Sequence, residues 1–122
     1  MATVRDIMSR DLVTVEPGAT VAEAATLMGG RGVGSALVLD GGAAAGIFTE
    51  RDILRALASD FDAAHHPVAD WMTHDPVTVE AGTDVAVARD LMLERGFRHL
   101  PVTDDGVLVG IVSLRDLSSS VD

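Results

Sequence analysis

Displaced by 64 residues, the sequence lies on itself without a gap. Val4-Arg5-Asp6-Ile7-Met8 meets Val68-Ala69-Asp70-Trp71-Met72, and the stretch from Asp11 to Glu16 meets that from Asp75 to Glu80. Roughly 22 of about 55 aligned positions are identical, far above chance, so the chain is an internal repeat. The period is too long and the copies too few for a solenoid, which points to a pseudo-twofold pair. A half of this size would be marginal alone, so the two halves are expected to form one module. The boundaries read as 1–64, repeat one with its linker, and 65–122, repeat two.

Seven residues carry the repeat most sharply. Gly46-Ile47-Phe48-Thr49-Glu50-Arg51-Asp52 returns as Gly110-Ile111-Val112-Ser113-Leu114-Arg115-Asp116. Each heptad reads as the end of a buried strand entering a helix. A hydroxyl residue stands at the N-cap, and a carboxylate follows three residues later, as in a capping box. The structural reading is a helix cap. The functional reading is a hydroxyl, a carboxylate and free N–H groups converging where a polar, anionic small molecule can be held.

In chain order, Val4 to Met8 reads as one helical turn and Leu12 to Val15 as a β-branched strand. Thr20 caps a helix with Val21, Ala24, Ala25 and Met28 at helical spacing, which Gly29, Gly30 and Gly32 are expected to end. Ser35–Leu39 and Ala43–Phe48 form a hairpin across Asp40-Gly41-Gly42. A helix with Ile53, Leu54 and Leu57 on one face follows, then a linker over 59–67. Repeat two takes the same course. Each repeat is thus strand, helix, strand, strand, helix. The expected class is α/β (α+β), with a parallel crossover beside an antiparallel hairpin.

Composition narrows the function. Net charge is −10 and all nine basic residues are Arg, which disfavours nucleic acid and anionic membrane surfaces as partners. There is no Cys, so disulfide and thiolate chemistry are excluded. No apolar run is long enough for a membrane helix, and no stretch has signal-peptide order, so a cytoplasmic protein is expected. No nucleophile with an adjacent base, no Gly-Lys phosphate loop and no metal quartet is present, so no enzyme activity is expected. His65 and His66 lack further ligands at metal-site spacing.

The order of these pieces resembles the cystathionine-β-synthase (CBS) domain pair, or Bateman module. The residues that carry the resemblance are the two openings ending at Met8 and Met72, Leu100-Pro101-Val102, and the doubled heptad. The resemblance implies a regulatory module that binds AMP, ADP, ATP or another adenosyl ligand in clefts between the repeats, with no required cofactor. It implies that Thr49 and Asp52 serve ribose and phosphate in one cleft, with Arg51 beside them, and Ser113, Asp116 and Arg115 in the other. Val13 and Val77 would lie against adenine. Basic residues on the middle strand of the opposite repeat would reach the phosphates. Those are Arg98 and His99 for the first cleft; the second would meet only Gly34 and Ser35, so one competent site per chain is expected. The resemblance further implies a homodimer through helices, here the faces Ile53-Leu54-Leu57 and Leu114-Leu117, and output to an unidentified effector protein. The alternative for Arg51 and Arg115 is an ion pair with nearby acids such as Asp6 or Asp70, and Trp71 is expected in the core or at an interface. The competing reading is a dimeric interaction scaffold whose clefts hold no ligand.

Overall fold

Glycines at two matching positions decide which segments pack together. A Cβ on Gly46 would run into the Met72 side chain and approach the Thr73 carbonyl to 2.8 Å; one on Gly110 would meet Met8 and come within 2.9 Å of the Ser9 carbonyl. Each heptad glycine therefore accepts the methionine of the other repeat's opening segment at backbone range. The computed structural model describes residues 2–120. Its elements in order are α1 (Val4–Ile7), β1 (Thr14–Val15), α2 (Val21–Arg31), β2 (Ser35–Asp40), β3 (Ala43–Thr49), α3 (Glu50–Ser59), β4 (Thr73–His74), β5 (Val79–Glu80), α4 (Val85–Arg95), β6 (His99–Asp104), β7 (Val107–Ser113) and α5 (Leu114–Ser120). Short 3-10 turns cover Ala63–His65 and Val68–Asp70. The class is mixed α/β.

Two compact units result, one formed by residues 13–76 and one by residues 2–12 with 77–120. They differ from the consecutive repeats read along the sequence, because the opening segments are exchanged. In the 13–76 unit the sheet order is β1-β2-β3-β4, with β1 parallel to β2 and the other pairs antiparallel. Strand β4, from the opening of repeat two, pairs Thr73 with Ile47 and His74 with Gly46. The other unit has β5 parallel to β6 and β6 antiparallel to β7. There Ser9 takes the place of β4 by bridging Ile111, with both N–H···O bonds formed at 2.8 and 3.0 Å.

Each unit buries its own core. Val13, Val21, Met28, Val38, Phe48, Val68 and Met72 fill one; Val4, Met8, Val85, Met92, Leu100, Val112 and Leu117 fill the other. The cores are aliphatic because the chain holds only three Phe and one Trp. Helix α2 begins at Thr20, whose hydroxyl accepts the Glu23 N–H at 3.0 Å while Glu23 accepts the Thr20 N–H at 3.1 Å. The Thr20 backbone bond, then the hydroxyl, holds the Glu23 carboxyl below the usual carboxylate range. The hairpin turns need left-handed backbone at both central residues, which Gly41-Gly42 and Asp105-Gly106 supply.

Two expectations are corrected, for α2 and for α5. Gly29 and Gly30 do not end α2; they lie inside it, and the helix stops at Gly32, whose φ is +65°. The linker packs onto its own unit. Ala63 is fully buried, and the Val21 N–H donates to the His66 carbonyl at 2.9 Å, so this stretch is tied to the start of α2. The α5 face is not left uncovered: Leu117 is fully buried and Leu114 packs against the same core. On α3, by contrast, Leu54 and Leu57 remain exposed.

Gly46→Ala and Gly110→Ala are each expected to lower unfolding free energy by about 1–3 kcal/mol in urea titrations, the usual cost of overpacking. Gly18→Ala, where a Cβ meets nothing within 4 Å, is expected to leave it unchanged.

Candidate functional site

Strand β3 ends at Thr49 and α3 starts one residue later, so the first heptad spans the strand-to-helix junction. The Thr49 backbone is extended (φ −124°, ψ 169°), as an N-cap requires. The Asp52 carboxylate folds back onto it. Its Oδ2 accepts the Thr49 N–H at 3.0 Å and the Thr49 hydroxyl at 3.2 Å, while the Asp52 N–H donates to Thr49 Oγ1 at 3.3 Å. Asp52 is only 6% exposed, one of two buried polar or charged residues among those described, the other being Ser35.

The second oxygen of Asp52 has a different partner. Arg55 Nη2 donates to Oδ1 at 3.3 Å and to the Trp71 carbonyl at 2.8 Å. The same guanidinium lies 5.4 Å from the Trp71 ring centroid, within cation–π range. Trp71 Nε1 donates in turn to His66 Nδ1 at 3.4 Å, and the two rings are within 12° of parallel. His66 Nε2 faces Asp60 Oδ2 at 3.5 Å. The sequence reading missed Arg55; its i,i+3 spacing from Asp52 was the available signal.

The second heptad is less enclosed. The Asp116 N–H donates to Ser113 Oγ at 3.1 Å, but the Asp116 side chain is exposed and α5 has seven residues. Arg51, Arg98 and Arg115 are also exposed. Val13 is buried and its carbonyl already accepts the Leu37 N–H at 2.8 Å; Val77 is half-buried against the core of its own unit.

Strand pairing makes groupings that the sequence did not suggest. Ser35 stands opposite Thr49 in the β2–β3 ladder, and His99 stands opposite Ser113 in the β6–β7 ladder. Directly opposed residues share a sheet face. Arg98 is held at the same junction, its carbonyl accepting the Leu114 N–H at 2.8 Å. An open groove of about 790 Å³ lies at the other end of β2, lined in part by Val15, Glu16, Glu23, Leu27 and Gly41; none of the candidate residues lines it. Among the described residues no cluster of three potential metal ligands occurs, and no helix is long and apolar enough to cross a membrane.

Comparison with known proteins agrees with this architecture. The CBS domain family profile matches twice, at residues 4–59 and 68–122, and the chain belongs to the CBS domain family as a tandem pair. An uncharacterised 17.7 kDa protein of Acidianus ambivalens is 43% identical over 125 residues, covering 99% of this chain and 74% of its own length. The crystal structure of a CBS-domain protein of Agrobacterium tumefaciens superposes with a TM-score of 0.91 at 32% identity, over 98% of both chains. Two similar structures carry ligands. The CBS domain pair of the protein MJ0100, in complex with 5′-methylthioadenosine and S-adenosyl-L-methionine, has a TM-score of 0.87 at 28% identity over 97% of this chain and 94% of its own. CBSX2, in complex with AMP, has a TM-score of 0.82 at 29% identity over 98% and 96%.

The unequal surroundings of the two acids carry a stability prediction. Asp52→Ala is expected to cost about 1–2 kcal/mol, the upper range for losing a helix cap. Asp116→Ala, at an exposed position, is expected to cost under about 0.5 kcal/mol. Urea unfolding of the two variants against wild type checks the difference.

Proposed function

We propose that the chain is a regulatory module that binds an adenosine-containing ligand, with its principal acid at Asp52. The observation that carries the reading is the buried carboxylate of Asp52, held by Thr49 at the N-terminus of a ten-residue helix. Solved relatives hold AMP, 5′-methylthioadenosine and S-adenosyl-L-methionine, which share one adenosine group. A carboxylate can accept from both hydroxyls of a ribose, and charge-assisted bonds of this kind are stronger than neutral ones.

In this reading Thr49 and Asp52 meet the ribose, while Arg98, His99 and Arg51 supply positive charge or donors to phosphate. Val13 and Val77 lie against adenine. Ser113, Asp116, Arg115 and Ser35 form a second and weaker place, because Asp116 is exposed where Asp52 is enclosed. The chain acts by regulation rather than catalysis, as a cytoplasmic homodimer joined through helices and signalling to an effector protein. The exposed Leu54 and Leu57 of α3 support the helical contact. Ligand changes the output only by binding one arrangement of the module better than another.

Isothermal calorimetry with AMP is expected to give one principal site per chain. Asp52→Ala should weaken it at least about tenfold, equivalent to about 1.4 kcal/mol. Asp116→Ala should change it less than about twofold. Two equal sites, or an affinity unaffected by Asp52→Ala, would contradict the assignment.

A further inference from the structure

We propose that Arg55 is a built-in competitor for the Asp52 carboxylate, which a ribose diol must displace, so that Arg55 sets how strongly the site rewards a ligand for its hydroxyls. This rests on Asp52 being the ribose-binding acid. A carboxylate offers about four acceptor positions. On Asp52, Oδ2 already takes the N–H and the hydroxyl of Thr49, and Oδ1 takes Arg55 Nη2. One position remains, while a vicinal diol donates two hydrogen bonds. One of the three existing donors has to leave.

Arg55 is the donor that can go. The two Thr49 donors belong to the cap that starts α3, and moving them would loosen the helix. The Arg55 contact is the longest of the three, 3.3 Å against 3.0 and 3.2 Å, and its side chain is 54% exposed. Arg55 also has somewhere to stay. Its Nη2 bonds the Trp71 carbonyl and its guanidinium lies over the indole, so release from Asp52 leaves those two anchors in place. Trp71 is steadied by His66, which accepts its Nε1–H. The arrangement belongs to one heptad alone: 64 positions away in register, Ser119 and Ile7 stand where Arg55 and Trp71 stand here.

The test is the ratio of affinities for AMP and 2′-deoxy-AMP, measured by calorimetry on the full chain as wild type, Arg55→Ala and Arg55→Lys. Loss of a cation weakens attraction for the phosphate of both nucleotides alike, so the ratio isolates the hydroxyl. In Arg55→Ala the preference for AMP is expected to rise about two- to five-fold, the scale of a half-exposed ion pair. Arg55→Lys, which keeps a cation but loses the planar fork on Trp71, is expected to give a ratio between those of wild type and Arg55→Ala. An unchanged or lowered ratio in Arg55→Ala, with AMP still bound, overturns the competitor role and leaves the nucleotide assignment standing. Absence of AMP binding by the wild type overturns both.

Discussion

The close approach of Gly46 to Met72, and of Gly110 to Met8, is the constraint on which the rest of the structure depends. It brings the opening of each repeat onto the strand that leads into the heptad of the other. A Cβ there would push on the backbone of Thr73 or Ser9 and on the methionine that each opening segment contributes, with a valine, to the core. The heptad therefore does two jobs from its two ends. Its glycine receives an exchanged segment; six residues later its carboxylate caps a helix.

Repetition in sequence does not produce repetition in environment. Both heptads supply a hydroxyl and an acid at capping-box spacing, yet Asp52 is enclosed and Asp116 is exposed. The difference comes from residues outside the heptad. Arg55 takes the Asp52 oxygen that Thr49 leaves open and is itself anchored on Trp71, an indole available only because repeat two opens with Trp71 where repeat one has Ile7. The exchanged segment thus reaches from the fold into the candidate site. It supplies Met72 to the core, Thr73–His74 to the sheet edge, and Trp71 to the anchor of Arg55.

Local chemistry made much of this legible before any coordinates. The caps at Thr20 and Thr49, the two hairpin turns and the aliphatic strands rest on neighbours within a few residues, and the repeat shows as identity at a displacement of 64. What escaped the sequence was set at long range. Nothing near Val4 or Met8 says that they are buried beside Val85 and Val112. Gly29 and Gly30 looked like a helix stop, but the left-handed turn falls at Gly32. Leu117 looked like an uncovered face because α1 and α4, which pack against α5, come from different parts of the chain. At the site, the acid and its hydroxyl were evident from spacing. The pairing of Ser35 with Thr49 and of His99 with Ser113 required the strand register.

In the proposed function, the first heptad is the place where an adenosine ligand is received. Amide chemical-shift mapping of the labelled chain during AMP addition tests that most directly, because the N–H groups of Thr49 to Asp52 lie at the site itself. These amides are expected to shift first and furthest, with smaller changes at Ser113 to Asp116. Saturating AMP that leaves the amides of Thr49 to Asp52 unmoved would contradict it.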